Sequence, residues 1–135
     1  MNEPSTNPPT EGASAIVVAG DEETRVLLRG LLRLHHYRVI GEAEGSTEGT
    51  KLLRTHPPSV MVVDASLAEG SFPVLIREAR LLRPEMRVVL VTPTPVRAGD
   101  GTPKGADGPD ATLTRPFRLA DFLAALRGTV AGRTS

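Results

Sequence analysis

The feature of this sequence that most constrains its fold is a set of short apolar runs separated by amphipathic segments. Residues 15–19, 60–63 and 88–91 form three runs without a polar side chain. Such a run is too short for a buried helix and is typical of a strand that is covered on both faces of a sheet. Because the intervening segments have apolar residues at helical spacing, the sequence predicts an α/β fold with parallel strands joined by right-handed crossovers.

Two further segments, residues 37–43 and 111–114, have strand propensity and raise the expected number of strands to five. Helices are expected after each of the first three strands and after the fifth. The last helix has an apolar face that is predicted to reach Val130.

The first helix is expected to begin after Gly20 as its N-cap, with acidic residues in its first turn. Its predicted buried face contains Leu27, Leu28 and Leu31, and Leu32 falls off this stripe. In the second helix, Ser46 or Thr47 is the expected cap, and in the third Pro73 suits the first turn.

The regular alternation is interrupted in residues 93–110. Eight of these eighteen residues are Pro or Gly, and Val96 is the one sizeable aliphatic residue among them. No amphipathic helix can be drawn there, so the helix expected between the fourth and fifth strands is missing or irregular. The sheet face near Val89 and Val91 is then expected to lose its helical cover. Either the segment folds down as irregular cover, or the gap binds another chain.

Composition limits the classes of function. Sixteen basic and sixteen acidic residues give zero net charge, which argues against nucleic acid or an anionic membrane as partner. There is no cysteine for a disulfide, a thiolate metal site or a nucleophile, and no apolar run of transmembrane length. Residues 1–14 are expected to be a disordered tail before a single domain over residues 15–131, and the protein is expected in the cytoplasm.

Three short motifs occur in a characteristic order. Asp64 closes the third strand, Thr92 closes the fourth, and the residues Thr-Arg-Pro-Phe at 114–117 follow the fifth. In this order and spacing they resemble the receiver domain of bacterial response regulators, over nearly the whole chain outside the tail. The resemblance implies a flavodoxin-like, CheY-like three-layer sandwich, with a five-stranded parallel sheet in the order 2-1-3-4-5. Its site would lie at the carboxyl ends of the strands.

The resemblance also implies a phosphoacceptor, and Asp64 occupies its position. In the family, the carboxylate attacks phosphorus with the help of Mg²⁺, which is held by this aspartate, a backbone carbonyl and an acidic pair that closes the first strand. Here the acidic pair is replaced by Ala19 and Gly20, which have no side-chain oxygen. Asp21 comes one position too late and is a weak metal candidate, better explained as a helix-start charge. Binding of Mg²⁺ is therefore expected to be weak or absent, with no other cofactor.

Three more positions correspond to the family's machinery. Thr92 matches a hydroxyl that contacts the phosphoryl group, although a strand-end hydroxyl more often satisfies local backbone. Arg115 replaces a lysine and precedes Pro116, whose preceding peptide is cis in the family. Because arginine suits direct pairing with a carboxylate, Arg115 is predicted to form an ion pair with Asp64. The family's switch aromatic is replaced by Thr112.

Other signals are interpreted more simply. The three histidines are assigned to surface or helix-end roles, and the arginines at 25, 29, 33 and 38 and at 77, 80, 83 and 87 to solvated helix faces. No glycine-rich phosphate-binding motif is present.

The leading hypothesis is a stand-alone, atypical receiver domain that acts in signal transduction as a phosphorylation-independent interaction module, without catalysis of its own. Its partner would be a protein, and a homodimer is possible. The alternative is a conventional single-domain response regulator that a histidine kinase phosphorylates on Asp64. A small-ligand-binding protein or enzyme on a flavodoxin-like sheet is a third hypothesis.

Overall fold

Five parallel strands form one sheet in the order β2-β1-β3-β4-β5, with helices on both faces. The computed structural model describes residues 12–95, 102 and 105–128. The strands are β1 Ser14–Val18, β2 Arg38–Ala43, β3 Val60–Asp64, β4 Arg87–Thr92 and β5 Ala111–Thr114. The helices are α1 Glu22–Leu34, α2 Ser46–Thr55, α3 Phe72–Leu82 and α4 Leu119–Arg127. The predicted fold class, strand order and number of strands are confirmed.

The ends of the chain fall largely outside this description. Residues 1–11, most of the predicted tail, and Val130 of the predicted last helix lie outside the described residues. Ser14, which was assigned to the tail, is the first residue of β1 and is buried. None of the helices within the described residues is long and apolar enough to span a membrane.

The sheet separates two hydrophobic layers. One face of the sheet packs against Leu28 and Leu32 of α1 and Phe122 of α4, and the opposite face against the helices α2 and α3. Because side chains alternate along a strand, Val89 and Val91 belong to the first layer, where α1 and α4 cover them. The expectation that these two valines lose their cover was therefore wrong.

The other face of β4 belongs to the layer that contains α2 and α3. Its side chains Val88 and Leu90 belong to the second layer and are fully buried. Between β4 and β5 the described residues contain a single 3-10 turn, Gly105–Asp107, and no α-helix. Residues 96–101 and 103–104 lie outside the described residues. The part that is described is irregular, as the Pro and Gly content predicts.

Arg80 of α3 attaches the end of this segment to the sheet. Its guanidinium donates to the carbonyl oxygens of Gly108 (2.8 Å) and Met86 (2.7 Å) and pairs with the Asp110 carboxylate at 2.7 Å. Asp110 also accepts from the Val88 amide at 2.8 Å. The sequence-based assignment of Arg80 to a solvated helix face was therefore wrong. Its N–H groups donate to the carbonyl oxygens of Gly108 and Met86. We call Arg80, Gly108 and Asp110 the Arg80 clamp.

The start of α1 differs from the prediction in its cap and in its buried face. Asp21, not Gly20, is the N-cap, and its carboxylate accepts from the Thr24 amide at 3.0 Å. Leu32 is fully buried, whereas Leu27 is 55% exposed. The apolar stripe is therefore centred on Leu28 and Leu32, rotated from the predicted face.

The helices α2 and α3 begin differently. Gly45 is the N-cap of α2, and as a glycine it has no side chain that could cap the helix. The predicted N-cap at Ser46 or Thr47 was therefore wrong. Glu69, from the loop before α3, accepts from the Thr47 amide at 2.7 Å instead. In α3, Pro73 lies in the first turn, as predicted.

Candidate functional site

The candidate site lies at the carboxyl ends of β1, β3 and β4, where the topology brings the predicted residues together. Asp64 is the last residue of β3 and Thr92 the last of β4, and Ala19 directly follows β1. Asp64 is 3% exposed and Thr92 is 7% exposed. A buried carboxylate at this edge of the sheet must be compensated by donors, since an unpaired buried charge is costly.

Both oxygens of the Asp64 carboxylate have partners. The Arg115 guanidinium forms an ion pair with Oδ1, and the Ser66 amide donates to Oδ2 at 3.0 Å. This is the ion pair that the sequence predicts. The Arg115 side chain is 37% exposed, so the pair is covered from the carboxylate side and open to solvent from the arginine side. The peptide bond between Arg115 and Pro116 is cis, the isomer that the resemblance implies.

The position of the missing acidic pair is filled by different contacts. The Arg25 guanidinium, from the second turn of α1, donates to the Ala19 carbonyl at 2.7 Å. The Gly20 amide donates to the Ser66 carbonyl at 2.9 Å. Two backbone oxygens at the end of β1 and in the loop after β3 are therefore already occupied by donors of this chain. Sequence reasoning missed Arg25, because an arginine that binds a backbone carbonyl leaves no pattern of paired side chains.

The loop after β3 lies directly against Gly20. A Cβ built at position 20 would be 2.7 Å from the Ala68 nitrogen and 2.9 Å from the Leu67 carbonyl carbon. Both are backbone atoms, which cannot rotate out of the way as a flexible side chain does. The loop is also fixed from its other side, since the Ala68 amide donates to the Glu44 carbonyl at 2.8 Å. An aspartate at position 20 would therefore require the loop to move.

The Asp21 side chain caps the N-terminus of α1. Its Oδ2 accepts from both the amide and the hydroxyl of Thr24 at 3.0 Å. These contacts are those of a helix cap, the interpretation that the sequence favoured over a metal ligand. Within the described residues, no group of three or more histidine or acidic side chains is arranged to hold a metal ion.

Among the residues that the structure describes, the Thr92 hydroxyl hydrogen-bonds only to the backbone of Thr94. It donates to the Thr94 carbonyl at 2.8 Å and accepts from the Thr94 amide at 3.3 Å. Such a bond to the backbone two residues on is a turn-forming contact typical of threonine. Thr112 lies on β5 beside Leu90 and is exposed, so the position of the family's switch aromatic presents a small hydroxyl to solvent.

The chemistry open to Asp64 follows from these contacts. A carboxylate that attacks phosphorus needs an accessible oxygen and a cation to offset charge on the phosphoryl oxygens. Here the carboxylate is buried, and the positive charge beside it belongs to Arg115, which binds the carboxylate itself. The arrangement is that of a closed ion pair.

No protein-family model and no curated protein matches the chain. Solved structures do match it. A CheY-like receiver domain protein from Methanospirillum hungatei JF-1 is 20% identical with a TM-score of 0.75, over 87% of this chain and 92% of that one. A LuxR-family two-component response regulator from Aurantimonas sp. SI85-9A1 is 23% identical with a TM-score of 0.76, over 92% and 89%.

A third structure is a response regulator from Burkholderia pseudomallei with a phosphorylated aspartic acid, a calcium ion and citrate. It is 28% identical with a TM-score of 0.68, and the match covers 84% of this chain and 66% of that one. Together with the strand order and the position of Asp64, these matches identify the fold: the chain has the fold of the CheY-like response regulator receiver domains.

Proposed function

We propose that this chain is an atypical receiver domain that binds a protein partner in signal transduction without being phosphorylated. The observation that carries the proposal is the occupied site. Asp64 is bound by Arg115 and by the Ser66 amide, and the Ala19 carbonyl is bound by Arg25. Because each of these oxygens already has a donor from this chain, a metal ion at the pocket would have to share or displace these contacts.

We also propose that the pocket does not bind Mg²⁺. This ion takes oxygen ligands in near-octahedral geometry and usually keeps one or two carboxylates of the protein. Asp64 is the one carboxylate at the pocket among the described residues, since Asp21 caps α1 and Glu69 bonds to α2. Two neighbouring guanidinium groups would further repel a divalent cation.

A titration followed by NMR tests this proposal. Mg²⁺ is added with acetyl phosphate, and in a second arm with beryllofluoride, while the amides of Asp64, Ser66 and Ala19 are monitored. We expect no saturable shift at these amides in either arm. Saturable shifts that disappear in Asp64→Ala would contradict the proposal and would support phosphorylation instead.

The interaction role is tested with any partner that the unmodified domain captures from cell extract. Its Kd is measured with and without Mg²⁺ and beryllofluoride. We expect equal values, because the proposed interaction does not depend on the state of Asp64. A change of roughly tenfold, about 1.4 kcal/mol, would contradict it.

A conventional response regulator is the second candidate. It is favoured by the place of Asp64 at the end of β3 and by the similarity to the Burkholderia pseudomallei protein, whose structure has a phosphorylated aspartic acid. For this candidate Arg115 would have to leave the carboxylate, and the beryllofluoride arm distinguishes the two hypotheses.

A further inference from the structure

An apolar groove of about 390 Å³ lies between α1 and the segment that leads from β5 into α4. Its apolar lining consists of Leu27, Leu28, Leu31, Pro116, Phe117 and Leu119. A concave, mostly apolar pocket with a few polar groups is the usual form of a small-molecule site, and such sites have volumes of roughly 300–1,000 Å³. The groove is at the lower end of this range.

Two leucines that line the groove are exposed, and an aromatic ring of the lining packs against a buried ring. Leu27 on α1 is 55% exposed and Leu119 on α4 is 45% exposed, so each of the two helices contributes an exposed leucine to the lining. Phe117, which also lines the groove, stacks on the buried Phe122 with ring centroids 5.6 Å apart. A bound apolar group that covers these two leucines would remove their side chains from water, which is favourable.

The polar side of the groove carries one cationic group, Arg115, whose charge is paired with Asp64 but which keeps free N–H donors. Thr24 and Arg115 are its two polar lining residues. The Thr24 hydroxyl already donates to Asp21 at 3.0 Å. Arg115 uses one nitrogen, Nη2, on Asp64, and its guanidinium makes no other hydrogen bond within the described residues. Since arginine has five N–H donors, it can keep Asp64 and still bind a second anion.

We propose that this groove binds a small molecule with an apolar body and one anionic group, of the class of medium-chain carboxylates. The hydrocarbon would lie on Phe117 between Leu27 and Leu119, and the carboxylate would accept from Arg115. A protein partner needs about 800 Å² of surface on each side, so it would also have to contact residues around the groove. The groove shares Arg115 with the ion pair at Asp64, but binding there requires neither a phosphorylated nor an unphosphorylated Asp64.

An NMR titration with sodium octanoate as probe tests the site. We expect saturable shifts at the amides of Leu27, Phe117 and Leu119. In Leu27→Gln, the loss of apolar contact is expected to weaken binding by roughly tenfold. Leu34→Gln is the matched control, since Leu34 lies on the same helix, is 65% exposed and does not line the groove. Its affinity is expected to stay within about twofold of the wild type.

Two further arms test the charge. Octanol, which has a similar chain and no anionic group, is expected to bind more weakly than octanoate, and Arg115→Gln is expected to remove this difference. Circular dichroism checks that Arg115→Gln is folded. Equal affinity for octanol and octanoate in the wild type would overturn the role of Arg115. Unsaturable shifts, or full affinity in Leu27→Gln, would overturn the site.

Discussion

Position 20 has room for a hydrogen atom and for nothing larger, because the backbone of Leu67 and Ala68 lies against it. The same contact keeps the loop after β3 over the end of β1, where the Gly20 amide binds Ser66. Small size at this residue is therefore a packing requirement, and it also removes an acidic residue that the family's metal site needs.

Gly20→Ala is expected to destabilise the fold by about 1–3 kcal/mol, because the new methyl group forces backbone atoms apart. Gly30→Ala is the matched control. Gly30 is exposed inside α1 with open space where a Cβ would lie, so alanine there should stabilise by about 0.5–1 kcal/mol through helix propensity. Urea unfolding of both variants measures the difference. A stable Gly20→Ala would mean that the loop yields at no cost.

The ion pair between Asp64 and Arg115 is asymmetric in exposure, and this predicts an asymmetric response to mutation. Arg115→Gln leaves a carboxylate buried with the Ser66 amide as its remaining donor and should cost about 2 kcal/mol, between the values for exposed and buried pairs. Asp64→Asn keeps an acceptor for Ser66 and leaves Arg115 able to reach water, so about 1 kcal/mol is expected. Equal losses in chemical denaturation would contradict this.

The residues of the site could be predicted to different extents. The pairing of Asp64 with Arg115 was predicted from the resemblance to receiver domains, which places both residues at one site, and from the preference of arginine for carboxylates. The contact of Arg25 with the Ala19 carbonyl could not be predicted, since any arginine can bind any free carbonyl and the choice depends on the tertiary structure. The close approach at Gly20 depends on a loop more than forty residues away.

Among the helices, α1 ends in a Schellman motif in which His36 occupies the left-handed position. The Tyr37 amide bonds to the Leu32 carbonyl and the His36 amide to the Arg33 carbonyl, and His36 has a φ of 73°. Helices that end in this way usually place glycine at this position, because a Cβ is strained there.

His36→Gly is therefore expected to stabilise the protein by about 1 kcal/mol, measured as a rise in the midpoint of urea unfolding. Arg33→Gly, three residues earlier within α1, is the control and should destabilise by a similar amount. A loss of stability in His36→Gly would show that the imidazole contributes more than the strain costs.

The Arg80 clamp predicts how stability changes at acidic pH. Burial raises the pKa of Asp110. Hydrogen bonds from Arg80 and from the Val88 amide, together with the charges of Arg80 and Arg87, lower this pKa by more than burial raises it. The pKa of Asp110 therefore lies below its ordinary value of 3.8. Because the folded state lowers this pKa, the contribution to stability is complete above about pH 5 and is lost as the pH falls through the folded-state pKa.

Asp110→Asn should therefore be less stable than the wild type at neutral pH, and the difference should shrink as the pH falls below about 4. Asp107→Asn is the control, because Asp107 lies in the same segment, is exposed and makes no ion pair within the described residues. Denaturation at a series of pH values checks both. A constant difference for Asp110→Asn at all pH values would contradict the clamp.

The existence of each helix could be predicted from apolar spacing, but not the rotation of α1. Apolar residues cover more than half of its circumference, including Val26, Leu27 and Leu28, so several stripes fit the pattern equally well. The packing of the helix on β1 selects Leu28 and Leu32 and leaves Leu27 exposed. The hydrogen bond from the Thr47 amide of α2 to Glu69 could not be predicted either, because the two residues are twenty-two positions apart in the sequence.

For the whole molecule, burial predicts which parts open last. The central strands β1 and β3 are buried at every residue, and β4 at all but its first, whereas the edge strands β2 and β5 are partly exposed. Native-state hydrogen exchange should therefore be slowest for amides of residues 15–18, 60–64 and 88–92 and faster for β2 and β5. Exchange of β5 as slow as that of β3 would contradict this ranking and would indicate that its outer edge is covered.

The overall architecture was the most predictable level, because the alternating pattern predicts parallel strands with right-handed crossovers and the resemblance to receiver domains supplies their order. The contacts that the described residues between β4 and β5 make with the rest of the fold were not predictable. Composition excludes a helix in residues 93–110, but only the structure shows that Arg80 of α3 binds Gly108 and Asp110 beside the covered Val88.

The two guanidinium groups at the end of β1 and beside Asp64 have one more consequence. A metal ion or a phosphoryl group comes and goes, so its occupancy can follow conditions in the cell, whereas an arginine is tethered to the chain and stays charged at every physiological pH. If Arg25 and Arg115 hold this pocket, its state is set when the protein is synthesised. Under the proposed function, this pocket would then carry no reversible signal, and control of the domain would act through its amount in the cell or through a molecule bound in the groove.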